Sequence, residues 1–272
     1  EYLPALAALD LLDQALTGCA APSDPRWGES SWLRAILLRY TGQLEPATRL
    51  AEDLIARAEA QGWELSLARA LDLRGNLHRM RRQLDPAWDH MTRAHAMFER
   101  LGDGDGMGTT LLGLGAIAWQ RGDLPRAEDI FRQSREHHQR TQRTAGVADS
   151  TNGLAELARA RGELDRAERL YREALILHEQ VHSGIADVVR LNLCLVRLQR
   201  GERAGLLADL DRCRQAFKRQ GRRTYEAAVD LMALPALAQQ GDWSSWDEAL
   251  SGALQGITER GVVDHDMAWA AR

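Results

Sequence analysis

The sequence predicts an all-α solenoid of about six helix–turn–helix repeats with a half repeat at each end. The first observation behind this prediction is that short turn sequences recur along the chain at a nearly constant spacing. One position in each turn forms an anchor column with spacings of 40, 40, 40, 39 and 40 residues, occupied by Gly42, Arg82, Gly122, Gly162, Gly201 and Gly241. Self-similarity at such a period is the signature of a repeat array in which each repeat packs on its neighbours.

The second observation is the spacing of small and large residues around these anchors. Positions five, nine and twelve residues after an anchor lie on one face of a helix. Small residues recur five residues after the anchor and seven before it, where two helices must approach closely. The five-residue column includes Ala47, Ala87, Ala127 and Ala167, and the nine-residue column includes Met91, Phe131 and Tyr171. Each repeat is therefore predicted to be a helix, a tight turn and a second helix.

The repeat boundaries follow from the anchors and predict a single array over residues 1–272. The repeats span about 28–67, 68–107, 108–147, 148–186, 187–226 and 227–261, with partial repeats at 1–20 and 262–272. Loops are expected between repeats, for example at 101–106 and 143–146. The segment from Leu3 to Thr17 matches the second helix of a repeat whose first helix is missing. We therefore expect the chain to be a fragment of a larger protein.

Composition limits the partners. The 272 residues are 44% hydrophobic and 27% charged, with a formal net charge of −4, as in a soluble chain that forms a core. The apolar runs are too short for a membrane, and the chain lacks a basic patch, so we expect neither membrane nor nucleic-acid partners. The three cysteines, Cys19, Cys194 and Cys213, suit a reducing, cytoplasmic compartment. Cys194 and Cys213 occupy small-residue columns of one repeat, and we interpret them as small buried apolar side chains.

Two segments raise the question of metal chemistry. The Asp103–Gly106 segment alternates Asp and Gly, but the later carboxylate ligand of a calcium loop is missing, so we interpret it as an inter-repeat loop. His178-Glu179-Gln180-Val181-His182 resembles part of a metalloprotease signature without a third ligand. We interpret its side chains as solvated polar groups at a helix end. The sequence predicts no metal, no cofactor and no enzymatic activity within this chain.

The best-formed repeat carries a family resemblance. Leu154-Ala155, the turn glycine Gly162, and then Ala167, Tyr171 and Ala174 resemble the tetratricopeptide repeat (TPR) pattern, in the longer, roughly 40-residue form of kinesin light chain. The resemblance implies a right-handed superhelical TPR solenoid and covers nearly the whole chain. The array is also similar to C-terminal TPR regions of large bacterial Ser/Thr protein kinases or of NTPase-type regulators.

In such an array the first helix of each repeat lines the concave surface, so its polar side chains are the candidate partner-binding residues. Asn152 and Asn192 match asparagines that bind cargo peptide backbones in kinesin-light-chain-like repeats. Side-chain amides can bracket a peptide backbone, and arginine can pair with a partner carboxylate. Hydrogen bonding between neighbouring helices is the other interpretation of Asn152 and Asn192, and a core position is the other interpretation of Trp119. The predicted set is Asp72, Asn76, Arg79, Trp119, Asn152, Glu156, Arg159, Asn192 and Gln199.

The leading functional hypothesis is a non-catalytic module that binds a peptide segment or a partner domain on its concave face. It would serve as the recognition or regulatory arm of a larger bacterial signalling protein. One alternative is a sensor arm that binds a small effector in an NTPase-type transcription regulator. Another is a self-assembly scaffold that forms homo-oligomers.

Overall fold

A computed structural model describes residues 2–260, with side chains described for residues 5–255. Over these residues it contains helices and no strand, which confirms the predicted all-α class. The predicted partial repeat 262–272 lies outside the described residues. The helices are α1 (Tyr2–Cys19), α2 (Arg26–Tyr40), α3 (Leu44–Gln61), α4 (Glu64–Met80), α5 (Leu84–Leu101), α6 (Gly104–Gln120), α7 (Leu124–Arg140), α8 (Thr144–Ala160), α9 (Leu164–Gln180), α10 (Ala186–Gln199), α11 (Leu206–Gln220), α12 (Arg223–Gln240) and α13 (Trp243–Arg260).

The chain divides into two compact bodies. The N-terminal body ends at Gly153 and the C-terminal body begins at Leu154, within α8. In the N-terminal body consecutive helices pack on each other from α1 through to α7. The first helices of successive repeats are also in contact, α2 with α4 and α4 with α6. In the C-terminal body the same holds from α9 to α13, with a contact between α10 and α12. Within each body the chain is thus a stack of helical hairpins.

The anchor column marks the turn inside each hairpin. Its residues have positive φ, from 70° at Gly241 to 82° at Gly122, and Arg82 takes the same conformation with φ 58°. The chain reverses there because the backbone leaves the helix through the left-handed region, which glycine enters without a steric penalty. At the first turn, the amide of Gln43 donates to the carbonyl of Leu38 across 2.9 Å and closes the helix end.

The small-residue columns surround large side chains of the second helices. The Met91 side chain fills the space between Gly75 and Gly113, where an added Cβ would lie 2.6 and 2.5 Å from its nearest atom. Phe131 lies in the same way between Gly115 and Gly153, with corresponding distances of 2.7 and 2.8 Å. The large column nine residues after the anchor therefore depends on glycines in two neighbouring first helices.

A further buried column lies sixteen residues after the anchors, at the end of the second helix. Ala58, Phe98, His138, His178 and Phe217 occupy it, and all five are buried. His178 is only 1% exposed, so the sequence-based interpretation of it as a solvated group is wrong. The ring of His138 packs on Gly108 and Gly146, where an added Cβ would lie 2.7 and 2.4 Å from the ring. The 40-residue period already contained this column, because Phe98 and Phe217 share it.

The expected inter-repeat loops are shorter than the sequence suggested. Asp103 is the N-cap of α6, and its carboxylate accepts a hydrogen bond of 3.0 Å from the amide of Gly106. Helix α6 therefore begins at Gly104, and α8 begins at Thr144. The Asp-Gly segment serves to start a helix. Within residues 2–260, no helix is both long and apolar enough to cross a membrane.

Candidate partner-binding surface

Three predicted residues come together on α4 in the N-terminal body. Asp72, Asn76 and Arg79 are all half-buried there. Arg39 on α2 lies close enough to lower the pKa of both Asp72 and Arg79. The Asn76 amide nitrogen donates to the main-chain carbonyl of Asp72 at 3.2 Å, and it lies 3.5 Å from both carboxylate oxygens. The spacing of one helical turn between Asp72 and Asn76 makes this contact. We call these residues, with Arg39, the α2–α4 polar cluster.

The two arginines of this cluster lack the ion pairs that their neighbours make. Arg34 and Arg74 each lie within 2.8 Å of a carboxylate oxygen. Among the described residues, no carboxylate lies within ion-pair distance of Arg39 or Arg79, and the Nε atom of each is buried without a hydrogen-bond acceptor. Burial, and then the nearby charge of Arg39, lower the pKa of Arg79. Arg39 lies over the Tyr40 ring, 4.6 Å from its centroid, and the described residues give neither guanidinium of the cluster a carboxylate to pair with.

Burial also raises the pKa of Asp72 to about 6, although Arg39 and Arg79 act in the opposite direction. Desolvation outweighs the attraction of two arginines because neither guanidinium reaches the carboxylate. Near neutral pH part of the carboxylate is protonated, which increases the net positive charge of the cluster.

We expect Asp72→Asn to raise the free energy of unfolding by about 1 kcal/mol at about pH 8, a value reduced for partial solvent access. A carboxyl whose pKa rises on folding stabilises the fold fully below its ordinary pKa of 3.8, and this contribution is lost as the pH rises through about 6. The gain should therefore vanish near pH 4, since both residues are then neutral. Urea unfolding of wild type and Asp72→Asn at several pH values measures this difference in unfolding free energy. Asp89→Asn, at an exposed position, is the control. A loss of stability at high pH would contradict it.

Trp119 and Asn152 belong to the same body but lie outside this cluster. Both are half-buried, Trp119 in the last turn of α6 and Asn152 in α8. The Oδ1 atom of Asn152 is buried and accepts no hydrogen bond from the described residues. A buried acceptor without a donor lowers the stability of the fold. A hydrogen bond from a bound partner to Asn152 would therefore contribute favourably to the free energy of binding.

In the C-terminal body, Glu156, Arg159 and Asn192 form one chain of polar contacts with Tyr171. The Asn192 amide donates to Oε1 of Glu156 at 2.9 Å, and the Arg159 guanidinium lies 3.6 Å from the other carboxylate oxygen. Nε of Arg159 donates to the Tyr171 hydroxyl at 3.3 Å. Tyr171 was predicted only as a large core residue, since its hydroxyl contact depends on side-chain conformation.

This network shows what two of the predicted residues already do. Asn192 and Arg159 are almost fully buried, and the Asn192 amide group links α10 to α8, as the helix-to-helix interpretation expected. Gln199 is half-buried at the end of α10, and its Oε1 atom is buried without a donor. A partner-binding role for any of these residues remains a prediction.

The comparisons with known proteins bear on this architecture. Residues 28–265 match the family model described as the MalT-like TPR region. The chain belongs to the MalT-like TPR family. This MalT-like TPR chain is accordingly a helical TPR-like solenoid, as the resemblance implied, although none of the curated proteins matches the sequence.

Solved structures agree with the fold. A Rap protein in complex with competence and sporulation factor is 13% identical, with a TM-score of 0.74, covering 89% of this chain and 69% of that one. The Rap conjugation gene regulator of plasmid pLS20, in complex with the Phr* peptide, is 13% identical with a TM-score of 0.69, covering 90% and 72%. BtubC (BKLC) from P. vanneervenii is 21% identical with a TM-score of 0.59, covering 81% and 91%. At these identities the likeness establishes the fold alone.

Proposed function

We propose that the MalT-like TPR chain is a non-catalytic interaction module whose first helices bind a peptide segment or a partner domain. The observation that carries the proposal is the α2–α4 polar cluster, where two half-buried arginines have no carboxylate partner among the described residues. Guanidinium groups that are not already paired with a carboxylate can bind carboxylates or backbone carbonyls of a partner. In this proposal the module is the cytoplasmic recognition arm of a larger bacterial signalling protein.

The first helices also supply the other kinds of group that peptide recognition uses. Asn152 and Gln199 each have a buried amide oxygen that accepts no hydrogen bond from the part of the chain that the structure describes, and the Asn76 amide donates to the carbonyl of Asp72. Such amides can accept from or donate to an extended backbone. Two of the similar solved structures hold a factor or a peptide, which favours this class of ligand for the fold. Their low identity leaves the ligand of this chain to experiment.

Site-specific photo-crosslinking tests the proposal directly. A benzophenone amino acid placed at Ala116, the α6 counterpart of Asn76, should capture a partner from a lysate of the source organism. The same group at Asp89, exposed on the second helix α5, provides the control position. We expect capture at Ala116 only, with the captured segment identified by mass spectrometry of the crosslinked peptide.

The identified segment then allows a quantitative comparison. Arg79→Gln should weaken its binding by about tenfold to a hundredfold, the effect of losing a hydrogen bond to a charged group. Arg93→Gln, whose guanidinium is on the outer part of α5 and 59% exposed, should bind as wild type does. Titration calorimetry gives both values. Equal affinity for the two variants, or capture at Asp89 alone, would contradict a binding site on the first helices.

A further inference from the structure

A cleft of about 610 Å³ opens in the C-terminal body and is lined by α9, α10 and α11. Cys194 of α10 and Cys213 of α11 are both part of its wall. Their exposed fractions are 4% and 3%, so each cysteine is mostly covered and borders the cleft through a small part of its surface. A space of this size admits small molecules from solvent. The two thiols are therefore the reactive groups that a small molecule meets in this cleft.

The two thiols interact with each other across the hairpin. Both cysteines are free, and each lies close enough to the other to shift its pKa. They belong to the same core cluster, which also contains Leu206 and Leu210 of α11. The sequence allowed this proximity, because the two positions are small-residue columns of one repeat. Two free thiols that line one cleft from adjacent helices, and that belong to one core cluster, are placed to form a disulfide between those helices.

The surroundings of the two cysteines favour Cys213 as the nucleophile. Five arginines line it, namely Arg172, Arg190, Arg197, Arg212 and Arg219, against three carboxylates. The neighbouring Cys194 side chain lowers the pKa of Cys213 and Arg190 adds to this effect, while burial, Asp187 and Asp209 act in the opposite direction. The same contact, together with burial, raises the pKa of Cys194. The net result is a lowered pKa at Cys213 and a raised pKa at Cys194, so Cys213 is the thiol that deprotonates more readily and the better nucleophile.

We propose that Cys194 and Cys213 form a redox-active dithiol, which a small hydroperoxide entering the cleft converts to a disulfide between α10 and α11. This modification site is independent of the proposed partner binding. It is also compatible with a reducing compartment, where disulfides are transient and occur mainly in redox-sensing or catalytic proteins.

The reaction balances with hydrogen peroxide as the oxidant. The Cys213 thiolate attacks one peroxide oxygen, the O–O bond breaks, and hydroxide leaves, so that Cys213 becomes a sulfenic acid. The Cys194 sulfur then attacks the Cys213 sulfur, the S–O bond breaks, and a second hydroxide leaves. The two thiol protons convert the two hydroxides to water. Two thiols are oxidised, one peroxide is reduced, and the net products are one disulfide and two water molecules.

Oxidation would covalently link the two helices of the α10–α11 hairpin. The connection between α10 and α11 runs from residue 200 to 205, which is longer than the three-residue turns between α4 and α5 or between α6 and α7. A covalent link close to the middle of both helices would hold them together independently of this longer connection. Helix α10 also carries Asn192, which contacts Glu156.

Mass spectrometry of the folded 272-residue chain tests the inference. After treatment with hydrogen peroxide and alkylation of remaining thiols, we expect the chain to lose the mass of two hydrogen atoms, and a non-reduced peptide map to join Cys194 to Cys213. Cys19 is the internal control, because it is exposed and its thiol donates to the carbonyl of Ala15 at 2.9 Å. In Cys194→Ser, dimedone should label Cys213, whereas Cys213→Ser should leave Cys194 unlabelled.

The wild-type chain alone can overturn the inference, whatever the variants do to folding. Oxidation of Cys19 while Cys194 and Cys213 remain alkylatable as thiols would contradict it. So would a bridge that forms only after the chain is unfolded, or one that always includes Cys19. Cys19→Ser should form the bridge as wild type does, and failure of that variant to do so would likewise count against an intramolecular dithiol.

Discussion

Phe98→Ala should lower the free energy of unfolding by about 3 to 5 kcal/mol, the range for removing a buried aromatic side chain. Phe98 is almost fully buried at the end of α5, in the column sixteen residues after the anchors. Its ring faces Gly106 in the first turn of the next first helix, where an added Cβ would lie 2.3 Å from the ring. Collapse around an alanine is hindered, since both helices are held by their own hairpins. Chemical denaturation followed by circular dichroism measures the loss.

Two comparisons distinguish this contact from a general effect of shortening side chains. Ile176→Ala removes an aliphatic group that is 56% exposed, so it should change the unfolding free energy by about 0.5 kcal/mol or less. Gly106→Ala overpacks the same contact from the other side and should cost about 1 to 3 kcal/mol. Adding Phe98→Leu should recover part of that cost. If Phe98→Ala cost no more than Ile176→Ala, the column would have no structural role.

The repeat architecture could be predicted from the sequence because the same kinds of residue recur at a nearly constant spacing. The left-handed turn positions, the small columns and the large column nine residues after the anchor all repeat every 39 or 40 residues. Each of these features maps to one contact in the hairpin stack. Met91 and Phe131 show why: each requires a glycine in two successive first helices. Any residue whose role repeats in this way leaves a signal that a single sequence can reveal.

The details of the candidate site leave no such signal. Arg74 pairs with Glu52 at 2.5 Å, whereas Arg79 has no carboxylate within ion-pair distance in the described range, and this difference depends on side-chain direction and on neighbouring helices. The contact between Arg159 and Tyr171 arises because two columns, each assigned a separate role, meet inside one hairpin. The positions equivalent to Tyr171 in the two preceding repeats are Met91 and Phe131, which have no hydroxyl group, so this contact leaves no periodic signal. The sequence therefore located the polar face of the first helices without indicating which groups are already paired.

His138→Phe should raise the free energy of unfolding by about 1 to 3 kcal/mol at about pH 8, because it removes two buried polar atoms that lack hydrogen-bond partners. Nδ1 and Nε2 of His138 are both buried, and neither has a hydrogen-bond partner among the described residues; Oδ1 of Asp105 lies 3.5 Å from Nδ1. Phenylalanine fits this column at Phe98 and Phe217, so the substitution places a side chain that the fold already accepts there.

The gain from His138→Phe should grow as the pH falls. Burial lowers the pKa of His138 in the folded chain, with Asp105 acting in the opposite direction. Above the ordinary histidine pKa, His138 is neutral in both the folded and the unfolded chain. Below it, His138 is protonated in the unfolded chain before it is protonated in the folded chain. The free energy of unfolding of the wild type therefore falls as the pH drops from the ordinary pKa to the lower pKa of the folded chain. Unfolding measured at about pH 8 and about pH 5 should therefore show a larger difference between variant and wild type at the lower value. The converse, a gain that shrinks in acid, would mean that protonated His138 is stabilised by Asp105 strongly enough to overcome its burial.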